Sequence, residues 1–306
     1  MADGSSGPSS ALVETVSGLT AGLASTIGTH PLDLLKTRLQ LARDRSSRVG
    51  NSFRLLRQVV RQEHGLNGLY RGFTPNVIGN ATSWSIWFLC YGQAKDRLRD
   101  WNGKEGPLSS SEYFLASGIA GIITAVTTNP IWVIKTRMIA TSSAAKGAYP
   151  SVWKGVQVIY DSEQGARGFF RGLAPSLLGS AHGAVQFMVY EQLKNWRRAG
   201  SSHSNQQLPN LDYLVLSGVA KTIAGITTYP FQVLRSRMQS QNAAAEYDTI
   251  WRTCKTTYSR EGLGGFYKGL GPNILRVLPA TWITFLVYEN CHHYLPKLLN
   301  RSDAPA

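Results

Sequence analysis

The stretch PLDLLKTRLQ at residues 31–40 recurs twice more, as PIWVIKTRM at residues 130–138 and as PFQVLRSRMQ at residues 230–239. A period of about 100 residues indicates a protein built from three similar units. Each copy ends an apolar segment and opens a basic one, with a proline at the junction. A proline inside a helix removes a backbone hydrogen bond and clashes with the preceding turn, so we expect three kinked helices.

A second motif follows each copy of the first. It reads EHGLNGLYRGFTP at residues 63–75, EQGARGFFRGLAP at residues 163–175 and EGLGGFYKGLGP at residues 261–272. Two linked motifs in triplicate are very specific, and together they resemble the mitochondrial carrier family over nearly the whole chain. The resemblance implies an all-α membrane protein, in which six transmembrane helices form three pseudo-threefold repeats with short surface helices.

The distribution of charge independently favours membrane spans, because about 20 apolar residues suffice for a helix to cross a bilayer core. The predicted spans are residues 15–32, 72–94, 113–134, 172–190, 213–234 and 277–288. The fifth span contains Lys221 near its middle and the sixth is short, so both are assigned from their place in the repeat. Gly18 and Gly22 in the first span are typical of membrane helices that pack closely.

The remaining segments complete each repeat. Amphipathic stretches at residues 53–63, 152–163 and 250–261 predict helices that lie on the membrane surface. Linkers rich in Gly, Ser, Asn and Pro separate the repeats at residues 102–111 and 199–209. We therefore expect carrier repeats at residues 11–101, 110–199 and 210–298. The N-terminus, residues 1–10, is predicted to be disordered; it lacks the Arg-rich pattern of a transit peptide, which predicts internal targeting.

The composition favours an anionic partner, and the sequence contains no catalytic motif. The 306 residues include 32 Lys and Arg against 18 Asp and Glu, a net charge of +14 that suits anionic lipids, nucleic acid or anionic solutes. Paired carboxylates, a nucleophile with a base at suitable spacing and a glycine-rich nucleotide loop are all absent from the sequence, so we predict no enzyme and no cofactor. Cys90, Cys254 and Cys291 lack C-x-x-C spacing, and no metal site is predicted.

The resemblance implies a gate on the matrix side. The family pattern Pro-x-[Asp/Glu]-x-x-[Lys/Arg] supplies acids and bases that link neighbouring helices there. Only Asp33 keeps the acid, with Lys135 as its expected partner, which leaves two cations unmatched. Two glutamines match the bracing glutamine of the family, and Ile139 replaces it in the middle repeat. The predicted matrix gate comprises Asp33, Lys36, Gln40, Trp132, Lys135, Gln232, Arg235 and Gln239.

A second gate is implied on the cytosolic side by the pattern [Phe/Tyr]-[Asp/Glu]-x-x-[Lys/Arg]. Only the fourth span matches it fully, as YEQLK at residues 190–194, so at most two ion pairs can form on this side. The second span reads YGQAK at residues 91–95, and His292 stands at the basic position of the sixth span. The predicted cytosolic gate comprises Tyr91, Lys95, Tyr190, Glu191, Lys194, Tyr288 and Glu289.

The motif residues also narrow the solute. PIW at residues 130–132 resembles the branch of the family that carries folate, flavin, NAD and pyrimidine nucleotides, and RVLPA at residues 276–280 is most similar to the FAD and folate carriers. Flat fused rings stack on aromatic faces, whereas diphosphates and carboxylates need cations. A charge within a span marks a pathway or site. The predicted solute contacts are Lys36, Trp84, Trp132, Lys135, Lys221, Arg235 and Arg276.

Three hypotheses result. The first is a monomeric carrier of FAD or folate in the mitochondrial inner membrane, which works by alternating access and has cardiolipin among its lipid partners. The second is an NAD or pyrimidine-nucleotide carrier of the same family. The third, from another class, is a soluble basic helical-repeat protein that binds nucleic acid. The uncharged spans and the three proline kinks argue against this third hypothesis.

Overall fold

A computed structural model describes residues 10–42, 50–63, 65–103, 108–142, 149–162, 165–199, 210–240 and 247–302. Within these residues every regular element is helical. The α-helices are α1 (Ser10–Leu41), α2 (Gly50–Gln62), α3 (Phe73–Asn102), α4 (Ser110–Ala140), α5 (Val152–Ser162), α6 (Leu173–Gly179), α7 (His182–Ala199), α8 (Asn210–Gln239), α9 (Ile250–Glu261) and α10 (Leu270–Ser302). Three 3₁₀ turns, Gly65–Tyr70, Gly165–Phe170 and Leu263–Tyr267, complete the set.

The helices form three copies of one unit, as the repeated motifs predict. Each unit consists of a long helix with a proline inside it, a short helix, a 3₁₀ turn and a second long helix. The prolines are Pro31 in α1, Pro130 in α4 and Pro230 in α8. Between units, α3 packs against α4, α7 packs against α8, and α10 returns to α1, so the three units close into a ring.

The second long helices differ from their sequence prediction in length and continuity. The sixth predicted span, residues 277–288, lies inside α10. This helix is far longer than the predicted span and continues through both Pro279 and Pro296. The fourth predicted span, residues 172–190, is divided between α6 and α7. By length and composition, two helical stretches qualify as membrane spans among the described residues, Ser111–Ala140 and Leu263–Pro296. The predicted disordered segment, residues 1–10, lies outside the described residues except for Ser10, which begins α1.

A polar residue directly before each kink proline fastens the long helix to the turn of its own unit. The His30 Nε2 atom lies 3.1 Å from the carbonyl oxygen of Arg71, and Asn129 Nδ2 donates to the carbonyl oxygen of Arg171 at 3.2 Å. The Tyr229 hydroxyl donates to the carbonyl oxygen of Lys268 at 3.0 Å. All three side chains are buried, where an unpaired polar group would be costly. Three chemically different residues thus perform one structural task.

A glycine at the start of each second long helix permits close contact with the next unit. Gly72, Gly172 and Gly269 have φ values of 76°, 72° and 82°, in the left-handed region that disfavours residues with a side chain. A Cβ at Gly72 would lie 2.7 Å from Ile139, and one at Gly172 would lie 2.8 Å from Gln239. At Gly269 it would lie 2.7 Å from the carbonyl oxygen of Lys36. These glycines therefore set the spacing between units.

The short helices are amphipathic and present an aromatic residue at the same place in each unit. Phe53 in α2, Trp153 in α5 and Trp251 in α9 each stand ten positions before the glutamate of the second motif. Their exposed fractions are 75%, 70% and 79%. Aromatic side chains favour the membrane–water interface, so this ring fits helices that lie on a membrane surface.

The closure between units predicts that Gly269→Ala destabilises the protein strongly. Left-handed backbone costs a residue with a side chain roughly 1–2 kcal/mol, and overpacking adds about 1–3 kcal/mol. We expect a clear drop in the thermal unfolding midpoint of the purified protein in detergent. Gly271→Ala is the matched control, since open space surrounds that position in the same helix. Equal midpoints for the two variants would contradict this account of the closure.

Candidate functional site

A cavity of about 1100 Å³ lies inside the ring of helices. Its wall runs along α1 from Glu14, near the beginning of that helix, to Gln40, near its end. We call the side where α1 begins the open end and the side where α1 ends the closed end. The interactions between units that are described below cluster at the closed end, so the cavity is a blind pocket entered from the open end.

Three arginines join the units at the closed end through backbone carbonyl groups. Arg38 Nε donates to the carbonyl oxygen of Ile139 at 2.9 Å, and Arg137 Nε donates to that of Gln239 at 3.1 Å. Arg237 Nε completes the circle by donating to the carbonyl oxygen of Gln40 at 3.1 Å. The three bonds run in the same sense around the ring, each from one unit to the next. This cyclic set holds the first long helices together just beyond their kinks.

Buried carboxylates support this arginine ring. The Glu63 carboxylate accepts hydrogen bonds from Nη1 and Nη2 of Arg38, at 2.6 and 2.9 Å. Glu261 lies 2.7 Å from Arg237 and also 2.7 Å from Lys268. Breaking a buried ion pair by removing one partner costs about 3–5 kcal/mol. Sequence reasoning did not assign a role to these two glutamates, although each one opens a copy of the second motif.

The turn of the first unit adds a further link between units. Arg71 Nε donates to the carbonyl oxygen of Met138 at 2.7 Å, and its Nη2 atom donates to that of Tyr149 at 3.3 Å. Burial lowers the pKa of Arg71, the Glu63 carboxylate raises it, and the Arg38 cation lowers it further.

The two predicted bracing glutamines both bridge neighbouring units. Gln40 donates to the Tyr229 hydroxyl at 3.1 Å and accepts from Ser236 at 2.6 Å. Gln239 accepts from Thr136 at 2.9 Å. Ile139, which replaces the glutamine in the middle unit, is fully buried and packs with Leu34, Val59 and Leu69. The apolar contact therefore takes the place of the polar brace.

The acid positions of the matrix-gate pattern are occupied in three different ways. Asp33 forms an ion pair with Arg276, which lies in the neighbouring helix α10. The direct partner of Asp33 is thus Arg276, which the packing of α10 on α1 brings to the carboxylate. Lys135, the expected partner, is a charged neighbour of the same carboxylate. Gln232 accepts a hydrogen bond from Lys36 at 2.8 Å, a neutral substitute for an ion pair.

The Trp132 ring contacts the other two cations of the predicted matrix gate. The Lys135 ammonium lies 4.9 Å from the ring centroid, and the Arg235 guanidinium carbon lies 5.5 Å from it. Such cation–π contacts contribute about 0.5–2 kcal/mol, depending on desolvation. The Trp132 indole N–H donates to Thr128 at 3.2 Å, which fixes the ring. An aromatic residue thus replaces a carboxylate without neutralising either cation.

The base of the cavity is therefore strongly positive. Its lining includes the cations of Lys36, Lys135, Arg235 and Arg276 and the single carboxylate of Asp33. Cations in a pocket walled by protein attract anions more strongly than the same cations in water, since the local dielectric is low. A small polyanion is the ligand that this part of the cavity suits best.

The second long helices of the three units carry different residues at one equivalent position. Seven positions after Gly72, Gly172 and Gly269 stand Gly79, Gly179 and Arg276. Gly179 and Arg276 line the cavity, whereas Gly79 packs against Trp132, to which an added Cβ would lie 3.4 Å away. One unit therefore supplies a cation, and the other two leave space beside it.

An aromatic surface lies on the cavity wall formed by α3. Trp84 and Phe88 both line the cavity and are each 62% exposed, and their rings stack with centroids 5.8 Å apart. Trp87 stacks in turn on Tyr91 at 4.8 Å. Phe88 was not predicted, although it follows Trp84 by one helical turn in the sequence. This surface can accept a flat ring face to face.

The predicted cytosolic-gate residues are not joined across helices in the contacts that the structure describes. Lys194 pairs with Glu191 of its own helix at 3.1 Å. Lys95 lies over the Tyr91 ring at 4.7 Å, and Tyr288 stacks on His292. Tyr190 lies under Lys194, while Glu289 is exposed in α10. This end of the ring is accordingly open, and its role as a gate stays a prediction.

Lys221 is not brought together with the other predicted solute contacts. It is exposed on α8 and is not among the residues that line the cavity. It stands nine residues before Pro230, as Gly22 stands nine before Pro31, and Gly22 does line the cavity. A position so far from the kink lies towards the open end, where a long side chain reaches water or lipid headgroups. Its contact with a solute stays a prediction.

A ring of six helical walls around a blind, cationic cavity, closed at one end and open at the other, defines a membrane carrier of small solutes. The motifs specify the family. The mitochondrial carrier protein family matches residues 7–101, 106–200 and 206–299, so the chain belongs to the mitochondrial carrier family. The described architecture of three helical repeats is that of a multi-pass carrier, and members of this family transport solutes and are not enzymes.

Several curated relatives carry the specific names of their solutes. The chain is 37% identical over 301 residues to the mitochondrial FAD carrier protein FLX1 of Saccharomyces cerevisiae, covering 92% of this chain and 96% of that one. It is 38% identical over 287 residues to the chloroplastic folate transporter 1 of Arabidopsis thaliana, covering 89% and 92%. It is 36% identical over 305 residues to the mitochondrial nicotinamide adenine dinucleotide transporter 1 of Saccharomyces cerevisiae, covering 95% and 79%.

The hydrogen bond between Lys36 and Gln232 predicts that Gln232→Glu slows transport. A carboxylate at this position would convert a neutral hydrogen bond into a buried ion pair and would stabilise the closed end. Charge-assisted hydrogen bonds exceed neutral ones by about 1 kcal/mol, so we expect about a fivefold slower turnover in liposomes. The double variant Lys36→Gln, Gln232→Glu lacks the ion pair and should not show that slowing relative to Lys36→Gln alone. Unchanged turnover in Gln232→Glu would contradict the assignment.

Proposed function

We propose that this protein carries a flat-ringed anion, FAD in the first place and folate in the second, between cytosol and mitochondrial matrix. The observation that supports this most is the arrangement inside the cavity. Four cations with one carboxylate lie at the closed end, and the Trp84–Phe88 surface lies on the adjoining wall. A solute with a charged group and a fused ring system matches both features.

The relatives point to the same group of solutes. The relatives named for FAD, folate and NAD are 35–38% identical to this chain, so identity alone does not select among them. An NAD carrier is the second candidate, because NAD shares the diphosphate and adenosine of FAD and differs at the other ring. The isoalloxazine of FAD offers a larger fused surface than nicotinamide, which favours FAD on the Trp84–Phe88 surface.

Transport would proceed by alternating access. In the described conformation the solute enters from the open end and reaches Arg276, where its anion competes with Asp33 for the guanidinium. A carrier moves its solute quickly when binding favours the occluded intermediate over both end states, by the same logic that binds a transition state in an enzyme. The predicted matrix gate would then open, while Lys95, Glu191, Lys194 and Glu289 close the other end.

The compartment is part of the proposal. The similarity to mitochondrial FAD and NAD carriers favours the mitochondrial inner membrane, whereas the folate relative is chloroplastic. We propose a multi-pass monomer of the inner membrane with cardiolipin among its lipids. Family membership leaves the soluble nucleic-acid-binding hypothesis without support.

The decisive experiment is uptake into liposomes by the purified protein. The vesicles are loaded and challenged in turn with labelled FAD, folate, NAD and UTP. We expect FAD to be taken up fastest and to be displaced best by unlabelled FAD. Preferred uptake of NAD or UTP would replace FAD by the second candidate, and transport of none of the four would overturn the proposal.

Arg276→Gln should abolish most of the uptake while the protein still folds. A hydrogen bond to a charged group contributes about 1.5–3 kcal/mol, which corresponds to roughly a 10- to 100-fold loss of affinity. Arg252→Gln, an exposed change in α9, is the control and should leave uptake unchanged. Uptake by Arg276→Gln at the level of the unsubstituted protein would remove Arg276 from the solute site.

A further inference from the structure

The fourth membrane span contains a break that the other second long helices lack. Helix α6 ends at Gly179 and α7 begins at His182, whereas α3 and α10 run without interruption through the equivalent positions, Thr82 and Pro279. His182 lines the cavity, so the middle unit presents an imidazole there. The other two units have Thr82 and Pro279 at the equivalent positions. No role has been assigned to it so far.

The hydrogen bonds around His182 determine which of its nitrogens carries the proton. Its Nδ1 atom lies 3.1 Å from the Thr228 hydroxyl oxygen. That hydroxyl already donates its one proton to the carbonyl oxygen of Ala224 at 2.8 Å. The oxygen can therefore only accept from the imidazole, so Nδ1 is the donor. In the neutral ring Nε2 must then be an acceptor, and the structure describes no partner for it.

His30 provides an instructive contrast. Its two ring nitrogens are both occupied, Nε2 by the carbonyl oxygen of Arg71 at 3.1 Å and Nδ1 by the Asn76 amide at 3.2 Å. His30 is also fully buried. It therefore has a structural task and no free lone pair, whereas His182 keeps one for a ligand or a proton.

The cavity that His182 lines contains more cations than acids. The charged side chains that line the same cavity are those of Glu14, Asp33, Lys36, Lys135, Arg235 and Arg276, and Lys221 and Arg235 lie on α8, against which α7 packs. Helix α6 offers no charged residue, and on α7 the nearest are Glu191 and Lys194, more than two turns away. The cations outnumber the acids, and His182 begins a helix, where the dipole also opposes positive charge. The free Nε2 atom therefore shares the cavity with more cations than acids.

We propose that His182 Nε2 takes up a proton when an anionic solute binds, so that His182 becomes a further, pH-dependent contact for the phosphate or carboxylate of that solute. The neutral acceptor nitrogen becomes an N–H donor, and the new bond is charge-assisted. The solute brings the negative charge that offsets the repulsion from the four cations. This inference rests on the proposed function, of which it specifies the anion-binding chemistry.

The test measures binding as a function of pH. The dissociation constants of FAD and NAD are determined for the purified carrier between pH 6 and pH 8, a range in which their diphosphates keep a constant charge. Linkage of one proton tightens binding by up to about tenfold per pH unit as the pH falls. Calorimetry in buffers of different ionisation enthalpy counts the protons directly, and we expect an uptake between zero and one per solute.

His182→Gln retains a polar side chain of similar reach that does not titrate. We expect its proton uptake on solute binding and the pH dependence of its dissociation constants to fall by the contribution of one imidazole, while the affinity at pH 8 stays within about threefold of the unsubstituted protein. His292→Gln, at the open end, is the matched control and should keep the full pH dependence.

The outcomes separate this inference from the function that it presupposes. Solute binding without proton uptake would overturn the role of His182 and leave the proposed function intact. Proton uptake that is undiminished in His182→Gln would likewise overturn it, since other groups would then account for all of it. If neither FAD nor NAD bound, the proposed function would fail and the inference would fall with it.

Discussion

The structure depends on the three bonds from Arg38, Arg137 and Arg237 to backbone carbonyl oxygens of the next unit. A carbonyl is present whatever the side chain, so this contact survives when the residue that supplies it changes. The middle unit shows this, because Ile139 stands where its counterparts are glutamines and still accepts the Arg38 bond at 2.9 Å. The closed end is thus held mainly by arginine and backbone, and only secondarily by side-chain pairs.

This division of work explains why the acid positions of the gate can differ. Because the arginine ring and the buried glutamates hold the units, Trp132 and Gln232 can stand where the family pattern has carboxylates. Each replacement keeps a contact, a cation–π pair in one case and a hydrogen bond in the other, and neither cancels a positive charge. The positive base of the cavity is therefore a consequence of a closure that does not need acids at the gate positions.

The sequence predicts the repeated parts of this design and misses contacts between distant parts of the chain. The three prolines and motif spacings were sufficient for the three repeats and their order, but not for the arginine ring or the glutamates that support it. The contact between Asp33 and Arg276 was not predicted because the two residues are 243 positions apart, and only the packing of α10 on α1 makes them neighbours. The shared role of His30, Asn129 and Tyr229 was equally hidden, since the three have nothing in common except their place before a proline.

Threefold symmetry is kept where units touch one another and is lost where they face the cavity. The glycines at 72, 172 and 269 and the arginine ring repeat in every unit, because each makes the same contact with its neighbour. Arg276 and His182 each occur in one unit only, and the aromatic surface belongs to α3 alone. A solute with one charged end and one flat end has no threefold symmetry, so a cavity that holds it in a single orientation must depart from symmetry too. Under the proposed function, the positions at which the repeats disagree are the ones that select the solute, and they can change without loosening the ring around them.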